Sequence, residues 1–512
     1  MKLATYTFTF RRWLCRTLAT RQQISLKSKV IFGFVVFLTS FSVKSLHAVD
    51  LEPAMYTADQ PGGLMSSALD ERAASIVAGQ GILMPSISDA SDTSLLAHAP
   101  GYPIFLSAIY AVTGRNYFNV QLIQNVINSV SPVLMFLIAG NLISWRVGIA
   151  SGFLTGISHH LSYYSNLVLS DSLCALPILV AIYVLIRAGF RGSGSLWLYA
   201  LAGSMIGLSA WIRPNPMLMG LALAVYLAVT AGWRRRVILR GIVLASASLL
   251  TIAPITIRNY VMYGEFVPIR IGIGIVLWQG LGDASGGRFG ATTDDEVIRH
   301  EVALYDNDSY GQSWASPDGI KRDRDRVKRS LEVIREHPVW YLGALVDRMG
   351  EMLKDTAHAP LVFRSTDTKL RDAIEMSKAE NLARRPRKNE QAAQAEMIDR
   401  SALTIGRSLS WLRPPARAFQ RITKEAGLSF VLAGLVVLLI GSRRRTLVML
   451  IVPLYYLIFQ SVMHTEFRYT LAMRYFLLSL AAIMWTIVVT TGVTWLREGI
   501  MRIARLRKAA VL

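Results

Sequence analysis

The sequence predicts an all-α polytopic membrane bundle of about ten spans with a large, mixed extracytoplasmic insert. Three observations lead there. Of 512 residues, 52% are hydrophobic, and the mean hydropathy is +0.37. Apolar runs long enough for a bilayer recur along most of the chain, too often for a soluble core. Lys and Arg, which give a formal net charge of +21, gather in short clusters between those runs. Such clusters mark cytoplasmic loops, so topology accounts for the charge and nucleic acid is not an expected partner. Cys15 stands in a basic tail and Cys174 in an apolar run, which leaves no disulfide framework and no thiolate metal site.

Residues 1–28 are polar and basic and read as a cytoplasmic tail. Residues 29–48 form the first span; its basic flank and Ala48 also fit a cleaved signal peptide, and either way the chain emerges outside. An acidic first extracytoplasmic loop, 49–117, holds Asp50, Glu52, Asp59, Asp70 and Glu71. Inside it the apolar run Pro100 to Thr113 is short of the roughly 20 residues that a bilayer needs, so it reads as an interfacial helix. Further spans follow at 118–143, 147–164, 167–188, 195–212, 215–232 and 237–257, which complete an N-terminal module over 29–257. The basic turns at Arg187 and Arg191 and at Arg234–Arg236 then both fall on the cytoplasmic side.

From 258 to 426 hydropathy drops and charge rises, the mark of a large extracytoplasmic insert. It contains two amphipathic pieces, 323–337 and 339–354, and a stretch over 364–400 that reads as solvated helix or loop. Spans at 427–441, 446–463 and 475–496 and a basic cytoplasmic tail, 497–512, close the chain.

Five local patterns recur at span ends on the outer side. They are the acidic loop running to His98-Ala99-Pro100-Gly101-Tyr102-Pro103; Tyr164 to Ser172, with Ser170-Asp171-Ser172; Trp211-Ile212-Arg213-Pro214-Asn215; Ile257-Arg258-Asn259-Tyr260, continuing to Pro268; and His464-Thr465-Glu466-Phe467-Arg468-Tyr469. The set resembles the GT-C superfamily of membrane glycosyltransferases, in particular the bacterial branch related to protein O-mannosyltransferases and lipid A aminoarabinose transferases. The resemblance runs from about residue 29 to 496. It implies a GT-C-like bundle in a bacterial inner membrane, with a polyprenyl-phosphate sugar donor at the outer leaflet and an extracytoplasmic glycan, lipid or protein as acceptor. It also implies an acidic residue in the first outer loop, a second acid on a short loop two spans later, and inversion at the sugar. Asp171 matches the second acid. For the first acid, Asp59 is favoured over Asp70. His98 stands where relatives place a basic residue before proline, able to contact phosphate when protonated.

The residue types suit that chemistry on physical grounds. An acceptor hydroxyl or amine must lose a proton as the anomeric carbon gains oxocarbenium character, which calls for a carboxylate. The leaving group is an anionic phosphate, which calls for guanidinium groups, and Arg258, Arg468 and Arg213 are the candidates. The hydrocarbon tail of the donor keeps the reaction at the membrane edge. Asp171 is also placed to orient the acceptor or a divalent cation, and carboxylate oxygens suit Mg²⁺ or Mn²⁺ without requiring either. His159-His160 read as interfacial residues, since neighbours on a helix point in different directions. A transporter or lipid-carrier flippase is the rival class, against which stands the lack of two similar halves. A non-catalytic relative that binds lipid carriers is a second rival.

Overall fold

The computed structural model describes residues 24–51, 55, 63–81, 91–189, 194–354, 360–362, 404–441 and 443–509. The protein is an all-α membrane bundle, and no strand occurs among the described residues. The insert, expected to be mixed, is helical and turn-built wherever it is described. Among the described residues, five stretches are long and apolar enough to cross a membrane: Leu26–Leu51, Tyr117–Leu142, Arg235–Tyr263, Ser410–Gly441 and Phe467–Leu496. Shorter apolar helices stand among them, including Gly101–Thr113, where the interfacial helix is expected.

In chain order the helices are α1 (Leu26–Leu51), α2 (Gly63–Val77), α3 (Gly101–Thr113), α4 (Tyr117–Asn128), α5 (Val130–Leu142), α6 (Trp145–Ile157) and α7 (His159–Tyr164). After them come α8 (Ala175–Ala188), α9 (Leu196–Ile212), α10 (Met219–Ala231) and α11 (Arg235–Tyr263). The insert contributes α12 (Ile273–Ser285), α13 (Asp294–Tyr305), α14 (Gly319–Glu336) and α15 (Pro338–Leu353), and α16 (Arg413–Gly441), α17 (Arg443–Ser461) and α18 (Leu471–Ala509) return to the bundle.

Two of the expected spans are broken. The run 147–164 stops at Ile157, because Ser158 leaves helical geometry and its hydroxyl accepts from Leu161 N to start α7. The run 167–188 becomes helical only at Ala175, although Leu167, Val168 and Leu169 are as apolar as any helix in the chain. A stripe of amides on α4 explains the exception. Gln121, Gln124, Asn125 and Asn128 recur at helical spacing and point one way. Gln121 Nε2 donates to Asn166 O at 2.8 Å, and Gln124 Nε2 donates to Ser165 O at 2.7 Å and Leu167 O at 2.9 Å. Asn125 Nδ2 reaches Asn166 Oδ1 at 2.7 Å and Asn128 Nδ2 reaches Ser172 Oγ at 3.1 Å. Irregular backbone buried in a membrane bundle needs partners of this kind, and α4 provides them from within an apolar run.

Small residues set the closest approaches. On α9, Gly203 and Gly207 lie one turn apart against α11, where a methyl group on Gly203 would stand 2.1 Å from Leu244 O. Gly101, at the start of α3, touches the end of α9: a Cβ there would stand 2.6 Å from Trp211 O.

These contacts bring the start of α3, the ends of α9 and α11, the end of α17 and the start of α18 together at one end of the bundle. The helix ends that carry Arg187, Arg235, Arg236 and Arg445 lie at the other.

The insert caps the first end. Its core is Glu301 on α13, fully buried between Arg322 and Arg326 of α14. Arg326 Nε donates to Glu301 Oε1 at 2.6 Å and Arg322 Nε to Oε2 at 2.9 Å. The segment before α3 is stitched to this unit: Thr93 Oγ1 donates to Ala315 O at 2.5 Å, and Ile271 N donates to Leu96 O at 3.1 Å. Burial acts to raise the Glu301 pKa, yet the two arginines hold it below its ordinary 4.5. Its contribution is therefore complete above the unfolded carboxylate range and is lost as pH falls through the lower folded value. Glu301→Gln leaves two buried guanidinium groups facing a neutral amide, and is expected to destabilise the insert by about 3–5 kcal/mol. Limited proteolysis of 264–354 across a thermal ramp, at neutral pH and at pH 4, checks both expectations.

Candidate functional site

A cavity of about 980 Å³ opens between the capped end of the bundle and the insert. Its walls come from α2, the segment 94–103, the end of α11, the first turns of α12 and α13, and the strap 464–470 that joins α17 to α18. Three expected site residues, His98, Arg258 and Arg468, line it together, although they are far apart in sequence. Arg72 and Arg270 complete a set of four guanidinium groups, and Glu71, Asp294, Asp295 and Glu466 are the lining acids.

The arginines fall into two groups. Arg468 is already paired, since its Nη2 donates to Glu466 Oε1 at 2.7 Å. Arg270 Nη1 donates to Ala97 O at 2.9 Å, which holds the 94–100 segment against the insert. Arg72 and Arg258 are different. Arg258 Nε donates to the Asn259 side chain at 2.9 Å, while Nη2 of Arg258 and Nη2 of Arg72 are both buried without a hydrogen-bond partner among the described residues. The two guanidinium groups repel one another. No carboxylate among the described residues pairs with either. Buried, like-charged and incompletely bonded groups are costly unless an anion joins them.

Asp171 and Arg213 stand behind this cavity. Asp171 is buried and forms an ion pair with Arg213 Nη1, and its other oxygen, Oδ2, is buried without a partner. Arg213 in turn lies over the ring of Tyr469, 4.2 Å from its centroid, and Tyr469 lines the cavity. Arg468 lies 5.4 Å from the same ring. Asp171 thus reaches the cavity through Arg213 and Tyr469. Among the described residues, no three His, Cys, Asp or Glu side chains stand close enough to hold a metal ion.

The first-loop acids separate. Asp59 lies outside the described residues. Asp70 is buried and fully engaged: Tyr110 OH donates to Oδ1 at 2.5 Å, Tyr117 OH to Oδ2 at 2.8 Å, and Arg115 Nε to Oδ2 at 3.1 Å. Asp70 thereby ties α2 to the α3–α4 turn. Asp50 is likewise bound, accepting from Arg413 Nη1 at 2.6 Å and joining α1 to α16. Glu71, the next residue after Asp70, is the first-loop acid that faces the cavity. At His98, burial first, and Arg270 second, push the pKa down to about 4.

Around Arg468, the strap is held by His464, Glu466 and Tyr469, residues of the fifth pattern to which sequence reasoning gives no role of their own. His464 Nδ1 bonds the Asp283 carboxylate on α12, and His464 N donates to Val276 O at 2.7 Å. Glu466 Oε1 accepts from Tyr469 OH at 3.0 Å as well as from Arg468, with His464 Nε2 3.7 Å away. Burial acts to lower the His464 pKa, but Asp283 and Glu466 hold it up at about 9. Burial acts to raise that of Glu466, but His464, Arg468 and Tyr469 hold it at about 2. The histidine therefore stabilises the strap fully below its unfolded value of 6.5 and ceases to as pH rises through about 9. Glu466 does so above 4.5 and ceases as pH falls through about 2. Hydrogen exchange of residues 464–470, corrected for the intrinsic rate, is expected to show constant protection between pH 5 and 6.5 and a loss around pH 9 that His464→Ala abolishes.

Residues 97–257 match a family model described as dolichyl-phosphate-mannose-protein mannosyltransferase. The matched stretch contains the His98, Asp171 and Arg213 patterns and ends where the Arg258 pattern begins, and it bears out the resemblance read from those patterns. No curated protein matches the chain. Among solved structures, the Archaeoglobus fulgidus oligosaccharyltransferase, crystallised with zinc and sulfate, aligns over 88% of this chain at 11% identity with a TM-score of 0.41. The chain spans about half the length of that protein, 51% of it.

Proposed function

From a GT-C relationship as the starting point, we propose that the protein is a membrane glycosyltransferase that moves a sugar from a polyprenyl-phosphate carrier to an extracytoplasmic glycan, lipid or protein. The observation that carries this reading is the Arg72 and Arg258 pair. Among the described residues, these two guanidinium groups line a cavity at the end of a membrane bundle with buried, unpartnered nitrogens and, unlike Arg468, with no carboxylate partner. An anionic lipid phosphate answers both needs: it supplies the missing acceptor oxygens, and its tail remains in the bilayer. Arg258 lies on a helix whose neighbouring residues Ile257, Tyr260 and Val261 are exposed as a lipid-facing surface would be.

The chemistry then divides among the lining residues. The bond from the anomeric carbon to the phosphate oxygen breaks, and the phosphate leaves into the grip of Arg258 and Arg72, with Arg468 and Arg270 adding positive potential. A first-loop carboxylate takes the proton from the acceptor as the new glycosidic bond forms. Glu71 fills that role among the described residues, and Asp59 of the same loop is its competitor. Asp171 acts through Arg213, which it holds against Tyr469. Asp70 keeps α2, and with it Glu71 and Arg72, in place.

The carboxylate oxygens on hand would suit Mg²⁺ or Mn²⁺, but no three such side chains gather among the described residues, so no step is assigned to a cation. The basic clusters at the opposite end of the bundle support a cavity that faces outward from a bacterial inner membrane.

Deletion of the gene is expected to cause one lipid-linked sugar to accumulate, which mass spectrometry of the lipid carriers would identify. In complemented cells, Arg72→Gln and Arg258→Gln should each lower transfer about 10²-fold or more, the usual effect of removing one donor to developing charge. Glu71→Gln and Asp59→Asn, compared side by side, identify the base: one should abolish transfer and the other should not. Variants at Arg72 and Arg258 that insert normally and restore the wild-type glycan would remove the basis of this reading.

A further inference from the structure

The amphipathic piece 339–354 has no part in the cavity, yet its structure is distinctive. It forms α15, whose inner face is fixed to the bundle by three kinds of contact. Tyr341 OH donates to Val462 O at 2.8 Å, Arg348 Nη1 donates to Ser461 O at 2.7 Å, and Arg474 Nη2 donates to Met352 O at 2.7 Å. Ser461 ends α17 and Arg474 lies in the first turn of α18, so α15 lies at the level where those two helices meet the strap. Its outer face is a stripe of Val339, Leu342 and Val346, 82%, 61% and 67% exposed. That stripe meets no other part of the described protein. The bonds to Val462 and Ser461 set α15 beside the end of α17, whose Ile458 and Phe459 are themselves exposed apolar residues.

We infer that α15 is an interfacial helix of the insert, its Val339, Leu342 and Val346 face resting in the boundary between headgroups and acyl chains. The occupant is lipid because the stripe joins a surface that lipid already covers, at the depth where that surface ends. A helix with one apolar stripe and a charged opposite end is built to lie in the membrane plane. The contact also sets the height of the cavity. Arg348, on the inner face of α15, donates its Nη2 to Gly280 O, and a Cβ on Gly280 would stand 2.7 Å from His464 N. The resting helix, α12 and the strap that carries Arg468 are therefore joined in series. This inference stands whether or not the protein transfers sugar.

The test places a nitroxide at Leu342→Cys or Val346→Cys, in a full-length chain carrying Cys15→Ser and Cys174→Ser, reconstituted in phosphatidylcholine and phosphatidylglycerol nanodiscs. Glu336→Cys, at the end of α14, serves as the aqueous reference. Relaxation by dissolved oxygen relative to a water-soluble nickel chelate should be several-fold higher at 342 and 346 than at 336. A ratio equal to the reference, or shielding from both reagents as another protein surface would give, overturns the inference. If the cysteine-free background fails to fold, p-benzoylphenylalanine at position 342 of the otherwise native chain should give lipid adducts on irradiation, and their absence overturns it equally.

Discussion

The structure depends on how a stretch of irregular backbone is kept inside a membrane bundle. Residues 165–174 are buried and not helical, and each carbonyl there that faced lipid would forfeit its hydrogen bond at a cost of several kcal/mol. Gln121 and Gln124 on one face of α4 take up three of those carbonyls, and Asn125 and Asn128 of the same face hold the side chains of Asn166 and Ser172. With the segment fixed, Asp171 has a defined position, Arg213 is drawn to it, and Tyr469 is packed beneath Arg213. The strap that carries Arg468 is thereby tied to a loop some 300 residues earlier in the chain, through side chains alone.

Around that fixed point the charges sort into those already answered and those left open. Glu301 answers two arginines within the insert, Asp70 answers Arg115, Asp171 answers Arg213, and Glu466 answers Arg468. Each of these pairs joins two elements and has a structural use. Arg72 and Arg258 are the ones left open, each with a buried Nη2 that has no partner and no carboxylate beside it among the described residues, and such a group is the one from which a ligand is most reasonably sought. Neighbouring residues on α2 differ sharply on this account. Asp70 faces inward to its phenols and Arg115, while Glu71 and Arg72 face the cavity, so a single turn of helix divides scaffold from site.

Much of the bundle was legible in the sequence, because hydropathy over a span is a sum that a few exceptions do not disturb. The long helices at Leu26–Leu51 and Arg235–Tyr263 fall where the apolar runs fall, and the short apolar run 100–113 forms the helix Gly101–Thr113. The break before Ala175 was hidden for the same reason: Leu167-Val168-Leu169 reads as span, and the amides of α4 vanish into the average of their own run. Of the site, Arg258, Arg468 and His98 could be picked out by their place at span ends. Arg72 and Arg270 could not, since their roles arise only when the 91–100 segment is laid against the insert. A periodic search for Gln and Asn within apolar runs would have found the α4 stripe.

The close seam between α9 and α11 has a mechanical consequence. Gly203 and Gly207 leave no slack between the two backbones, so neither helix can slide or rotate without the other. Arg213, just beyond the end of α9, and Arg258, near the end of α11, therefore ride on one rigid block. Any widening of the cavity therefore leaves the separation of those two guanidinium groups unchanged.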